Sequence, residues 1–386
     1  MNVSEYTLIS PSTDERPLDV HFLARNAQEA VAAFIQAGTA ANTVRSYRSA
    51  LTYWSAWLQL RYRLTLGNGP IPVTVVLQFA VDHLARPVVD GQWAHLLPAS
   101  IDTALVAAGT KSRLGPLSLN TVSHRIAVLG KWHQLNHWDS PTNALAIKTL
   151  LREARKAQSR HGVAVRKKTA MVKEPLQAIL ATCTDGVRGI RDRALLLLAW
   201  SGGGRRRSEV VGLKVEDVRK LDDETWLYNL GTTKTNTGGN RREKPLRGPA
   251  AQALSAWLDV APGTPGPLFR RMYKGGKIST DGLSPDQVAR IVQRRAKLAG
   301  LKGDWAAHSL RSGFVSEAGR QGVPLKDVMA MTEHKSVCTV MGYFQAGMLI
   351  DSKASLLLDS KKNAETVAAK TSDEINPKSE VFAKDR

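Results

Sequence analysis

The chain has 386 residues, with 54 Lys+Arg against 34 Asp+Glu and a formal net charge of +20. Its 43% of hydrophobic residues is enough to bury real cores, which excludes wholesale disorder. Two cysteines, Cys183 and Cys338, make neither a disulfide framework nor a zinc cluster, and the longest purely apolar run, Ala194–Trp200 (ALLLLAW), falls far short of a bilayer span.

Residues 1–20 are polar and irregular, and the sequence predicts a flexible arm without the basic-then-apolar order of a signal peptide. A helix starts at Asn42, read as an N-cap, with Val44, Tyr47, Leu51, Trp54 and Leu58 at steps of three or four. A second helix is expected over Val73–Leu84 and a loop over Gly109–Pro116. A third helix covers Leu119–His133, and another opens at Ser140-Pro141 and runs toward Lys156. No segment here alternates with a period of two. Residues 21–155 are therefore expected to form a helical domain of four or five helices.

Residues 152–168 (REARKAQSRHGVAVRKK) hold seven Lys/Arg and one Glu. The periodicity fades after Lys156, and residues 156–171 read as a basic linker, either lying along a phosphate backbone or merely solvated. The second domain, residues 172–350, carries helices over Pro175–Cys183, Arg191–Trp200, Pro249–Val260, Pro285–Ala299, Ser309–Gln321 and Pro324–Met331. Ser284, Pro285 and Gln287 form a capping box with proline at the first helical position, and Gly300 ends that helix. Trp226–Leu230 and the stretch around Lys234 read as short strands, with a hairpin tip at Gly238-Gly239-Asn240. The polar tail, residues 351–386, has no apolar stripe. The fold class is mainly α with a small β-sheet, in two domains.

The net charge makes a polyanion the leading partner, nucleic acid first. No GxxxxGK[ST] loop supports nucleotide hydrolysis, no HExxH or paired CxxC supports zinc, and no carboxylate cluster supports a two-metal nuclease. No cofactor and no metal is expected. The informative residues lie in the second half. In Ser201–Glu209 (SGGGRRRSE), three arginines sit between a glycine turn and a helix start, where a guanidinium fork suits a phosphodiester. Lys234 lies beside the expected hairpin. His308 and Arg311, three apart in HSLR, share a helix face. His334 precedes Tyr343 by nine residues. A phenol is mostly protonated at neutral pH, so a tyrosine nucleophile needs cations and a proton acceptor close by.

Arg206, Lys234, His308, Arg311, His334 and Tyr343, in that order, resemble the catalytic set of the tyrosine recombinases, or phage integrase family. RDRALLLLAWSGGGRRRSEVVGLKVEDV resembles the first arginine box, whose Gly-any-Arg-any-Ser-Glu pattern selects Arg206. KTNTGGNRREKPL resembles the lysine hairpin, AAHSLRSGFVSEAGRQGV the His-x-x-Arg box, and EHKSVCTVMGY the final His-to-Tyr spacing. The match covers residues 172–350, and residues 40–155 resemble the family's core-binding domain by pattern alone. Two departures stand out. Glu333 replaces the usual glycine before the last histidine, and the triple glycine before the arginine box is longer than usual.

The resemblance implies a two-domain clamp, a helical SAM-like core-binding domain plus an α+β catalytic domain. It also implies a site-specific recombinase that needs neither ATP nor metal. Tyr343 would attack a DNA phosphodiester, giving a 3′-phosphotyrosyl bond. Arg206, Arg311 and His334 would bind the phosphate, Lys234 would protonate the leaving 5′-oxygen, His308 would assist proton transfer, and Glu209 would position the arginines or His308. Expected phosphate contacts are Arg45, Arg48, Arg155, Lys156, Arg160, Arg166, Lys167, Lys168, Arg205 and Arg207. The implied partners are double-stranded DNA carrying specific sites, a tetramer on two sites exchanging strands through a Holliday junction, and an accessory recombination protein. The tail is a candidate protomer-docking segment. The implied location is cytoplasmic, on the bacterial nucleoid, with no membrane partner. Two other readings stay open: a DNA-binding regulator or accessory factor with reduced catalysis, and a type IB topoisomerase-like relaxing enzyme.

Overall fold

The computed structural model describes residues 38–350 except 68, 88–92, 162–167, 232–242 and 262. The expected arm, the hairpin tip Gly238-Gly239-Asn240 and the tail lie outside the described residues. The chain divides into two compact units, residues 1–165 and 166–386.

The first unit holds helices α1 (Ala41–Tyr62), α2 (Val73–His83), α3 (Ala99–Ala107), α4 (Leu119–Leu135) and α5 (Leu145–Arg160). Its core forms because Tyr53, Trp54, Trp57 and Leu58 recur on one face of α1 and are fully buried against Phe79, Leu105 and Leu129. Trp54 stacks on Phe79 with ring centroids 3.8 Å apart. Four expectations need correction. Ala40, not Asn42, is the N-cap of α1, and Asn42 Oδ1 instead accepts from Arg45 Nη1 at 3.2 Å. The Ser140-Pro141 start opens only a 3-10 turn, Pro141–Asn143, before α5 begins at Leu145. Helix α5 continues to Arg160, so the first part of the expected linker is helical. A two-residue ladder, β1 (Arg86–Pro87) with β2 (Trp93–Ala94), is also present, too short to register as an alternation.

The second unit contains α6 (Lys173–Ala181), α7 (Val187–Ser201), α8 (Arg207–Gly212), α9 (Pro249–Val260), α10 (Pro285–Leu298), α11 (Ala307–Arg320), α12 (Leu325–Thr332) and α13 (Val337–Ile350). An antiparallel sheet joins β3 (Val218–Lys220), β4 (Thr225–Tyr228) and β5 (Lys244–Arg247), with Tyr228 opposite Lys244. A second antiparallel pair, β6 (Arg270–Met272) and β7 (Ile278–Gly282), makes two sheets where one was expected. The apolar run in α7 is buried from Ala194 to Ala199 and forms the centre of the main core with Leu254, Trp257 and Val292. Buried Asp192 ties α7 to α10 by accepting from Arg191, Arg294 and Arg295. The capping box of α10 is present: Ser284 Oγ accepts from the Gln287 N–H at 3.3 Å and Gln287 Oε1 from the Ser284 N–H at 2.7 Å.

Helices α11 and α13 pack backbone to backbone. A Cβ at Gly347 would lie 1.9 Å from the Ser316 carbonyl oxygen, and one at Gly319 would lie 2.2 Å from that of Phe344. These glycines set the depth at which α13, the helix of Tyr343, docks. Among the described residues, no helix is long and apolar enough to cross a membrane.

Candidate active site

The site is built where the turn after α7 meets α11 and the end of α12. Gly203 and Gly204 have φ of +94° and +63°, a region that favours glycine. A Cβ at Gly204 would lie 2.8 Å from the Arg311 Cα, and one at Gly203 would lie 2.5 Å from the Met331 carbonyl oxygen. The long glycine turn is thus what lets the arginine box touch both α11 and α12. Tyr228 on β4 holds the same turn by donating its hydroxyl to the Gly202 carbonyl.

Arg206 is the N-cap of α8 and is part-exposed. Glu209 accepts its backbone N–H at 3.0 Å and its Nη1 through the other carboxylate oxygen. Of the partners considered for Glu209, these contacts are to the arginines, because Arg205 Nη1 also lies 3.9 Å from it.

Arg311 on α11 is 4% exposed. Its Nη1 donates to the Gly204 carbonyl at 2.8 Å, and its Nη2 donates to the Thr332 carbonyl at 2.8 Å and reaches His334 Nε2 at 3.0 Å. Burial lowers its affinity for a proton, and Arg206 and Arg205 add to that, yet a guanidinium stays charged at neutral pH. His334 Nδ1 lies 2.6 Å from Thr332 Oγ1. Burial, then Arg311, Arg206 and Arg205, pull the His334 pKa down to about 4. His308, at the start of α11, is held below the usual imidazole range by partial burial, Arg311 and Arg206. Its ring stands edge-on to Tyr343, with centroids 6.1 Å apart.

The structure therefore gathers Arg206, Arg311 and His334 in one positively charged cluster that His308 joins to Tyr343. The chemistry suits an anion with developing charge, beside a phenol and a neutral imidazole able to take a proton. Lys234 lies outside the described residues, as do Arg166 and Lys167. Among the described residues, no cluster of His, Cys, Asp and Glu is arranged to hold a metal.

The expected phosphate contacts divide. Arg45, Arg48, Arg155, Lys156 and Arg160 are exposed in the first unit, and Arg48 borders a largely apolar groove of about 450 Å³ between α1 and α4. Lys156, Lys168 and Arg207 make surface ion pairs with Glu153, Asp304 and Asp286 at 3.0, 2.6 and 2.8 Å. Such pairs are weak and readily exchanged. Arg205 is a correction. It is 1% exposed, and its Nη2 donates to the carbonyls of Gly203 and Met331, so it braces the site from within. Sequence reasoning also passed over Lys244 and Thr332. Lys244 is buried, and its Nζ donates to the Ala330 carbonyl at 2.7 Å. The inward positions of β5, Lys244 and Leu246, follow a period of two that was the available signal.

Residues 169–348 match the model of the phage integrase family. The chain is 30% identical over 244 residues to an integrase/recombinase XerD homolog of Selenomonas ruminantium, covering 61% of this chain and 71% of that protein. It is 24% identical over 245 residues to the recombinase Cre of Escherichia phage P1, covering 59% and 71%. Among solved structures, XerH, a site-specific recombinase bound to a palindromic difH substrate, aligns with a TM-score of 0.53 at 16% identity, over 82% of this chain and 80% of that one. The Tn1549 transposon integrase in complex with circular intermediate DNA aligns with a TM-score of 0.51 at 14% identity, over 82% and 94%. These two alignments establish a shared fold.

Proposed function

The chain belongs to the phage integrase family of tyrosine recombinases, and from that premise we propose that it cleaves and rejoins duplex DNA at specific sites through Tyr343. The observation that carries this reading is the convergence of Arg311, bonded to His334, and His308, facing the Tyr343 ring, on one cluster with Arg206. The Tyr343 oxygen attacks the phosphorus in line, and a 3′-phosphotyrosyl bond forms as the bond to the 5′-oxygen breaks. His308 takes the phenolic proton, which its neutral ring is ready to do. Arg206 and Arg311 carry the extra charge on the non-bridging oxygens, and His334 adds a hydrogen bond. Lys234 returns a proton to the leaving 5′-oxygen. Because the energy of the broken bond is kept in the phosphotyrosine, rejoining needs no ATP and no metal. Each protomer supplies one tyrosine, so exchange between two sites calls for a tetramer on DNA and a Holliday junction intermediate.

The test uses nicked duplexes tiled across the DNA flanking the gene, because the nick lets the cleaved fragment leave and traps the adduct. A detergent-resistant complex mapped to Tyr343, lost in Tyr343→Phe while DNA binding persists, is the expected result. Specific binding with no adduct would overturn strand cleavage in favour of a DNA-binding factor. An adduct on another residue would remove Tyr343 as nucleophile.

A further inference from the structure

The last turn of α12 is capped by three cations. The carbonyls of Ala330, Met331 and Thr332 have no partner within their own helix. Lys244 Nζ donates to the first at 2.7 Å, Arg205 Nη2 to the second, and Arg311 Nη2 to the third at 2.8 Å. Positive charge is favoured at a helix C-terminus, but three cations converging on one turn leave a surplus. Glu333, the next residue, offsets it. Its Oε1 lies 3.4 Å from Lys244 Nζ, with the two side chains 12% and 7% exposed. Glu333 has φ +57°, where a side chain costs about 1 kcal/mol relative to glycine. The backbone shape that glycine provides in the family pattern is thus kept. Within that shape, the added carboxylate is paired with a buried ammonium group.

Resting on the reading of Tyr343 as the nucleophile, we infer that Lys244 and Glu333 form a positioning pair for strand cleavage. Lys244 holds the final turn of α12 and neutralises the Glu333 carboxylate, so that His334 is presented beside Arg311. Lys244 also opens β5, the strand that follows the Lys234 segment. The pair therefore fastens that strand to the histidine turn. Neither residue touches the reacting atoms in this account. The coupling also explains why a departure from glycine is tolerated here: the glutamate and its lysine act together.

The test compares the full chain carrying Lys244→Met, Glu333→Gly or both, on a nicked duplex under single-turnover conditions with saturating protein. Lys244→Met is expected to slow adduct formation by about tenfold or more, with DNA affinity within about twofold of the parent. Adding Glu333→Gly removes the carboxylate that Lys244 neutralises and recovers about threefold of the lost rate, the contact to the Ala330 carbonyl staying lost. An unchanged rate in Lys244→Met, or a double variant no faster than it, overturns the pair. So does a loss of adduct that merely follows the folded fraction in thermal melts of all three variants. The ring resonances of His334, assigned with His334→Gln, give a reading without cleavage: they shift in Lys244→Met and move back toward the parent positions in the double variant. Should the parent protein form no adduct on DNA that it binds, the nucleophile reading has failed, and unshifted His334 resonances in Lys244→Met overturn the positioning pair on their own.

Discussion

Arg311 Nη2 and His334 Nε2 lie 3.0 Å apart, and that contact settles which imidazole nitrogen carries the proton. A guanidinium only donates. His334 Nε2 is therefore the acceptor, and Nδ1 carries the proton toward Thr332 Oγ1, 2.6 Å away. In the free protein the ring is neutral at pH 7, since its pKa is pulled to about 4 by burial, Arg311, Arg206 and Arg205.

On the proposed reading of the site, this tautomer makes binding of the scissile phosphate a proton-coupled event. A phosphate oxygen takes over the Arg311 Nη2 donor now held by His334, and its charge favours the imidazolium. His334 then donates from Nε2 while Nδ1–H stays on Thr332. Binding of a cleavable site near pH 6 is expected to take up a fraction of a proton, approaching about one per site. The uptake fades above the bound-state pKa and below about 4, where the free ring is already charged. Calorimetry in buffers of different ionisation heat measures it, and His334→Gln should lose this part while still binding DNA. Equal uptake in both proteins would show that His334 does not titrate.

Arg205 was expected on the DNA and is instead buried against Gly203 and Met331. The two roles predict different salt dependences. Arg205→Ala should leave the slope of log affinity against log salt unchanged, whereas removing a phosphate contact lowers it by about one. It should also cost stability by about 2–4 kcal/mol, because the capped carbonyls lose a charged donor. Filter binding across a salt series, beside denaturant melts, separates the outcomes.

Gly204 tests the arginine-box turn. Alanine there would sit at φ +63° with its Cβ 2.8 Å from the Arg311 Cα. Both strain and the collision act on the residue whose Nη1 is bonded to the Gly204 carbonyl. Gly204→Ala should destabilise the protein by about 2–4 kcal/mol and abolish adduct formation. A variant with parental melting and cleavage would mean that the turn has slack.

The helices and the order of the reactive groups were legible in the sequence because periodicity, caps and motif spacing are local. The capping box at Ser284 and Gln287 is an example, since two residues three positions apart determine it. What was not legible depends on partners distant in the chain. Nothing near Arg205 announces that its neighbour is Met331, 126 residues on, and three consecutive arginines read alike until one is buried. Lys244 looks like a solvated strand lysine until α12 is placed over it. Strands β6 and β7 were missed because short antiparallel pairs draw their stability from the surface that they cover.

His83 makes the first unit sensitive to acid. It is fully buried, its Nδ1 donates to the Phe79 carbonyl at 2.7 Å, and burial above all lowers its pKa to about 3. The unfolded chain binds a proton on this residue near pH 6.5, so the unfolded state holds more protons between about 3 and 6.5. Stability is full above pH 6.5 and falls as the pH drops toward 3, by a few kcal/mol in all. His83→Met should flatten that part of the pH dependence at a cost of about 1 kcal/mol for the lost hydrogen bond. Melts of the two proteins at pH 4.5 and 7.5 give the difference. An equal drop in both would place the acid sensitivity elsewhere.

With Tyr343 as the proposed nucleophile, Gly347 offers the sharpest separation of its placement from DNA binding. Helix α13 reaches α11 closely enough that a Cβ at Gly347 would stand 1.9 Å from the Ser316 carbonyl oxygen, and Ser316 Oγ donates to the Tyr343 carbonyl at 3.1 Å. Gly347→Ala must therefore move α13 by more than a side-chain adjustment, because the obstacles, the Ser316 carbonyl and the Arg320 N, are backbone. Tyr343 lies one helical turn earlier and shifts with it, and in-line attack loses about a hundredfold or more when a reacting group is misplaced by an ångström. The arginines and histidines sit on other elements, and so affinity for the recombination site should stay within about threefold of the parent. Ser316→Ala, which leaves α13 seated, should lose only about 1 kcal/mol of stability and keep most of the cleavage. Single-turnover adduct assays on both variants test the argument, and rapid cleavage by Gly347→Ala would show that the close contact does not place the nucleophile.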